Sequence, residues 1–230
     1  MNILAIDTST DACSAALLAG GELYQRCQIA PRQHTELILP MIDSVLAEAG
    51  LGVRQLDGLA FGRGPGAFTG VRVASSVIQG IAYGCDLPVA AVSTLAALAQ
   101  QAWRSHGAIQ VLAGLDARLQ QVYWGQYVLG AQQCMQLQGG EQVCLPAAVP
   151  RPTTSGWLGA GSAWLQYRTL LTQQLGDCCQ DCIADIYPQA RDVALLGQRL
   201  LQQGLGVAAD RVLPVYLRDQ VASKPASSDR

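Results

Sequence analysis

The sequence predicts an α/β fold of two similarly built lobes. An apolar strand, an Asp-containing turn and a second strand open the chain: Asn2 to Ile6, Asp7-Thr8-Ser9-Thr10, then Cys13 to Leu18. The same plan returns at Ile109 to Leu115, Asp116-Ala117-Arg118 and Gln121 to Val128. A strand, glycine turn and helix also occur twice, at Gly58 to Tyr83 and at Trp157 to Leu171. The lobe boundary is expected near Ser105 to Ala108. This gives an N-terminal lobe at 1–105, joined by part of the C-terminal segment, a C-terminal lobe at 106–220 and a fraying tail at 221–230.

Half of the 230 residues are hydrophobic and 14% are charged, which is ample material for globular cores. The formal net charge of −2 excludes a diffuse basic field that would hold a nucleic-acid backbone, so any RNA would be gripped mainly by another chain. The start, Met1 to Asp7, has no basic leader region, and no apolar run approaches a membrane span. A soluble cytoplasmic protein is expected. Its eight cysteines are scattered, so reduced thiols are the default. Cys179 and Cys182 have knuckle spacing, but no second pair or nearby His completes a zinc site.

Taken in order, Glu22 to Ile29 completes an opening meander after the Gly20-Gly21 turn. Gln33 to Ala49 has helical periodicity closed by Gly50-Leu51-Gly52, and Pro40 inside it predicts a kink or a late start. The helix from Val71 to Tyr83 is apolar over more of its circumference than one core-facing stripe requires. Its second side is expected to meet another protein chain, or to lie between the two lobes of this one. Leu87 to Val92 reads as a strand, Ser93-Thr94 caps a helix running to about Trp103, and His106-Gly107 ends it. Residues 130–155 carry strands and loops. Pro188 starts a helix bearing Val193, Leu196, Leu200 and Leu201, ended by Gly204, and Val212 to Arg218 is extended.

The turn Gly62-Arg63-Gly64-Pro65-Gly66-Ala67-Phe68-Thr69-Gly70 organises the chain. Its glycines allow close backbone approach, and Thr69 is the expected N-cap. Free N–H groups at such a helix start bind anions, which makes Asp7, Gly64, Gly66 and Thr69 candidate nucleotide or phosphate contacts. The alternative is a turn that only packs helix on sheet. It is not a Walker A loop, because the single Lys is Lys224. Asp7 stands where nucleotide-binding folds place a magnesium-organising carboxylate, the alternative being a turn-forming residue whose carboxylate bonds the backbone just ahead, and it could face Asp116 across a cleft. With only His34 and His106, the chain has no helical His pair for a metallohydrolase, and no G-x-S-x-G elbow occurs. No metal or cofactor site is therefore assigned.

Ile3 to Ser9, Gly62 to Arg72, Asp116-Ala117-Arg118 before Val122-Tyr123, and Pro214 to Arg218 together resemble the bacterial TsaB family. The resemblance spans nearly the whole chain. It departs at Gln121, where Glu is expected. It implies an actin-like ATPase (ASKHA, RNase H-like) fold and a role in forming N6-threonylcarbamoyladenosine at position 37 of tRNAs reading ANN codons. It further implies a dimer with the paralogous catalytic subunit TsaD, assistance from the ATPase TsaE, and a homodimer when alone. TsaD carries a metal-binding H-x-x-x-H; the matching positions here are Thr94 and Leu98, so a non-catalytic partner is implied. The helices at 33–49 and 69–84 would form the interface through Leu37, Met41, Val45, Val73, Val77, Ile78 and Ile81. The competing readings are an autonomous ATPase or small-molecule kinase using Asp7 and the glycine turns, and a structural interaction protein with no tRNA role.

Overall fold

The computed structural model describes residues 1–179 and 181–218. The expected tail at 221–230 lies outside the described residues. Two mixed five-stranded sheets form, ordered β3-β2-β1-β4-β5 and β10-β9-β6-β7-β8. The first contains β1 (Ile3–Asp7), β2 (Ala12–Ala19), β3 (Glu22–Ile29), β4 (Gly58–Gly62) and β5 (Val89–Val92); the second contains β6 (Gln110–Asp116), β7 (Val122–Leu129), β8 (Met135–Cys144), β9 (Leu158–Ala160) and β10 (Asp181–Ile183). In each, three strands form an antiparallel meander and two more add in parallel beside the first strand. The two-lobed architecture thus rests on one strand plan used twice.

Every residue of β1 and β2 is buried, because helices cover both faces of the first sheet. Leu4, Ile6, Cys13 and Leu17 face α1 (His34–Glu48) and α2 (Phe68–Cys85). Ile3, Ala5, Ala60 and Ala90 face α5 (Ala190–Gln202), which returns from the end of the chain to the first sheet. In the second sheet Val111, Ala113, Leu115 and Tyr127 cluster with Leu95, Leu98 and Ala99 of α3 (Thr94–His106). Leu112 and Trp124 meet Ala163 and Trp164 of α4 (Ser162–Leu175) on the opposite face. α3, which precedes the boundary expected from sequence, packs on the second sheet and also against α5. Arg104 of α3 grips the fully buried Asp192 of α5 at two 3.0 Å contacts.

Three local expectations need correction. α1 runs unbroken through Pro40; Pro40 and Glu36, whose carbonyl loses its usual donor, are both exposed, so water can satisfy the gap. Ala67, and not Thr69, is the N-cap of α2, with no side-chain cap, and its N–H donates to Ser9 O at 2.8 Å. α5 begins at Ala190 with Gln189 as N-cap, two residues beyond Pro188.

The glycines of the organising turn serve packing. A Cβ at Gly66 would run into Ser9 and one at Gly70 into the Thr8 carbonyl, while Thr8 Oγ1 donates to Gly70 O at 2.7 Å. Gly70→Ala is therefore expected to destabilise the fold by roughly 1–3 kcal/mol, since backbone must move to admit the methyl. Gly80→Ala, in the same helix but facing open space, should gain up to about 1 kcal/mol. Urea unfolding midpoints of the two variants check the pair.

Candidate functional site

Two surface features flank the start of α2. One is an apolar groove of ≈ 420 Å³ between α1 and α2, lined by Thr35, Ile38, Leu39, Phe68, Thr69, Arg72, Val73, Ser76 and Val77. Each helix sends one stripe inward, Ile38, Ile42, Val45 and Leu46 from α1 and Val71, Ala74, Ile78 and Ala82 from α2. Val73 and Val77 are half-buried in the groove wall, Leu37, Met41 and Ile81 are half-buried against the lobe's core without lining it, and Leu39 and Phe68 are about half exposed, at 52% and 48%. Val45 and Ile78, expected at an interface, are instead 0% exposed in the lobe's own core and have no surface to offer. The sequence reading misassigned them because composition marks a helix as apolar all round without saying which of its stripes points inward.

Ser76, Gly80 and Gly84 are exposed at four-residue spacing along α2. Apart from the helix's own nearby backbone, no atom among the described residues lies within 4 Å of where a Cβ would stand at either glycine. Glycine inside a helix costs up to about 1 kcal/mol relative to alanine, and nothing among the described residues requires it at these positions.

The second feature is a cleft of ≈ 500 Å³ between the lobes, lined by Ser9, Asp11, Gly66, Phe68, Asp116, Arg118, Tyr123, Tyr187, Tyr216 and Arg218 among others. Phe68 lines both cavities. It lies 3.7 Å beneath the Arg72 guanidinium and 5.7 Å from the Tyr216 ring, and Arg72 Nε donates to Tyr216 Oη at 2.9 Å. The segment carrying Tyr216 is pinned at both ends. Val215 N donates to Arg63 O at 2.7 Å, and Arg218 Nη2 donates to Ala117 O at 2.9 Å and Gln121 Oε1 at 2.6 Å. Gln121 thus keeps the polar contact with a neutral acceptor where Glu was expected.

The four candidate phosphate contacts do not converge. Gly66 lines the cleft and Thr69 the groove, whereas Gly64 and Asp7 are buried. Asp116 lines the cleft but is engaged locally, with Oδ1 accepting from Arg118 N at 2.9 Å and Tyr167 Oη at 3.3 Å and Oδ2 lying 3.2 Å from Arg118 Nη1. Asp7 and Asp116 therefore do not face one another across the cleft, because Gly62 and the glycine turn close over Asp7. Its Oδ1 accepts from Ser9 N at 3.0 Å and Ser9 Oγ at 2.7 Å, while Oδ2 has no hydrogen-bond partner among the described residues. Burial pushes the Asp7 carboxyl up from 3.8 to about 6, and the two Ser9 hydrogen bonds only partly oppose it. His34 is half-buried, and its Nε2 lies 2.8 Å from Thr10 O.

Sequence reasoning missed the network at the start of α3. Ser93 caps that helix as expected, accepting from Leu95 N at 3.1 Å and Ala96 N at 3.4 Å. Ser93 Oγ and Tyr127 Oη also both donate to Glu141 Oε1 of β8. Burial, reinforced by the Glu141 charge, holds the Tyr127 hydroxyl well above its usual range. No local pattern announces such a contact; it needs the second sheet folded against the first lobe's last strand.

The family described as "TsaD: tRNA N6-adenosine threonylcarbamoyltransferase" matches residues 27–226. A relative named tRNA threonylcarbamoyladenosine biosynthesis protein TsaB from Escherichia coli is 38% identical over 97% of each chain. Its namesake from Haemophilus influenzae is 40% identical over 97% of this chain and 96% of its own. The chain belongs to the TsaB family. A solved structure titled YeaZ from Pseudomonas aeruginosa superposes with a TM-score of 0.86 at 44% identity, covering 94% of this chain and 99% of that one. In this TsaB-family chain, the positions that the resemblance aligns with the TsaD histidines are both fully buried. Leu98 packs in the second lobe's core, and Thr94 Oγ1 has no hydrogen-bond partner among the described residues.

Burial likewise raises Asp192 from 3.8 to about 6, with the Arg104 charge opposing it. For both carboxyls the native state holds the proton more tightly than the unfolded chain, so their stabilising contribution is full below pH 3.8 and is lost as pH rises through about 6. For Asp7 alone that displacement corresponds to about 3 kcal/mol. Asp7→Asn, which retains an acceptor for Ser9, should reduce by about half the fall in Tm that these two groups produce between pH 4 and pH 7. Calorimetry across that range checks the change, the remaining slope belonging to Asp192.

Proposed function

We propose that this chain is a non-catalytic partner subunit in the synthesis of N6-threonylcarbamoyladenosine at position 37 of tRNAs reading ANN codons. It docks a TsaD-type catalytic subunit through the α1–α2 groove and stabilises it, a TsaE-type ATPase joins the pair, and a second copy occupies the groove when the partner is absent. The observation that carries this reading is the groove itself, with exposed Leu39 and Phe68, α2 also carrying Gly80 and Gly84, which meet no side chain among the described residues. Small residues let a second helix approach α2 closely, and the half-buried Leu37, Met41, Val73, Val77 and Ile81 of the two helices would then be covered.

The names of the full-length relatives supply the pathway. The non-catalytic assignment is supported by Thr94 and Leu98 at the histidine positions, since a leucine cannot bind a metal and a lone buried hydroxyl is a poor ligand. The net charge of −2 supports a division of labour in which tRNA is held mainly by the partner subunits, with the protein acting in the cytoplasm. The autonomous ATPase reading gains no specific observation, because Asp7 is sealed beneath the glycine turn and away from the cleft.

Two substitutions test the docking surface. Val77→Asp places a charge on the groove wall, and Gly80→Leu fills the open face while raising helix propensity. Both variants should remain folded, Gly80→Leu being at least as stable as the parent, and both should fail to co-purify with the TsaD-type subunit. Threonylcarbamoyladenosine in cellular tRNA should fall with them, measured by nucleoside mass spectrometry after replacing the native gene. Undiminished pairing would remove the groove from the interface, and undiminished nucleoside on depletion of the chain would remove the tRNA role.

A further inference from the structure

The α1–α2 groove carries one charge that apolar docking leaves unanswered. Of the nine residues lining it, Arg72 is the single ionisable one, and the others are apolar or bear a hydroxyl. Arg72 is exposed, yet its guanidinium is already oriented. Nε donates to Tyr216 Oη at 2.9 Å, Cζ lies 3.7 Å from the Phe68 ring centroid, and the Tyr216 centroid is 5.9 Å away. Tyr216 is itself held from both sides, by the Val215 N–H on Arg63 O and by Arg218 on Ala117 O. Arg72 Nη1 and Nη2, in contrast, have no acceptor among the described residues, and no carboxylate there pairs with Arg72.

A guanidinium carries five N–H donors in a rigid fork that matches the two oxygens of a carboxylate. With the Nε donor taken by Tyr216 and the plane set by Phe68, the terminal N–H groups are presented with little further loss of freedom on binding. Burial decides what they require. A partner that covers the groove withdraws Arg72 from water, and a buried charge with neither counter-charge nor acceptors is strongly disfavoured. Phe68 answers one face of the group and Tyr216 one donor. The rest of the lining offers no anion, so the occupant has to bring one.

We propose, resting on the reading of the groove as the docking surface, that Arg72 is a carboxylate-binding site that takes an Asp or Glu side chain of the docked catalytic subunit. Nη1 and Nη2 donate to the two carboxylate oxygens. Tyr216, 144 residues away in the chain, is the positioning residue that holds the fork ready. Thr69 and Ser76, exposed about one turn to either side of Arg72 on α2, place hydroxyls at its flanks. The occupant is thereby an apolar surface, packed on Leu39, Val73 and Val77, that bears one acidic side chain opposite Arg72.

Dissociation constants of the full-length chain for the TsaD-type subunit, measured by calorimetry, test the site. Arg72→Gln should weaken pairing by about tenfold or more, and Arg72→Lys should recover part of the loss because the charge remains. Tyr216→Phe removes the same hydroxyl tie but leaves the charge, and should cost only about threefold. Circular dichroism checks that each variant is folded. Replacing each acidic residue of the partner by its amide should then identify one whose effect disappears in the Arg72→Gln background. Val77→Asp separates this site from the docking surface itself. If Val77→Asp pairs as the parent does, the groove is not the interface and the carboxylate site falls with it. If Val77→Asp abolishes pairing while Arg72→Gln matches the parent, the interface stands and the carboxylate site is wrong. Equal losses in Arg72→Gln and Tyr216→Phe, or no acidic residue coupled to Arg72, would also overturn it.

Discussion

The approach of the β1–β2 turn to the glycine-rich turn is the constraint on which the α1–α2 side of the molecule depends. Ser9 and Thr8 press their backbone against Gly66 and Gly70 at distances that exclude any side chain. The Ala67 N–H is thereby satisfied by Ser9 O, so α2 starts without a side-chain cap. This contact fixes where the helix begins and how it lies against β4 and β1, and with that its distance from α1. The groove follows from it. So does the position of Phe68 at the junction of groove and cleft, held by Arg72 and Tyr216.

The same closure determines the electrostatics. Covering Asp7 removes it from water and leaves one carboxylate oxygen without a partner among the described residues, so a residue that could organise a cation in an open cleft becomes a buried group whose charge is disfavoured. Asp192 meets burial differently, through a two-point grip from Arg104. Such a pair contributes less to net stability than to fixing one arrangement of neighbours, and here the neighbours are α3 and α5, which lie between the two sheets. The segment ending at Arg218 adds a second tie, bonded to Arg63 on one side and to Ala117 and Gln121 on the other.

Much of the fold was legible in the residues. Continuous apolar runs marked strands buried on both faces, the glycine and proline punctuation marked the turns, and the repeated strand-turn-strand opening anticipated two sheets of one plan. Ser93 was readable as a helix cap because capping is local. The site was less legible. Val73 and Val77 line the groove and Leu37, Met41 and Ile81 are half-buried elsewhere on the two helices, but Val45 and Ile78 turn inward, and Asp7, Gly64, Gly66 and Thr69 scatter among core, cleft and groove.

The amino-acid sequence by itself determined the family, the α/β class and the surplus of apolar helix surface, since each is written in composition, spacing and motif. Only the tertiary structure decided which stripe of each helix faces out, that the glycine turn is pressed shut against β1, and that Arg104 meets Asp192 at a separation of 88 residues. The reason is physical. Periodicity and capping act over a turn or two of chain, whereas burial and charge pairing depend on what the far parts of the chain bring to the same place.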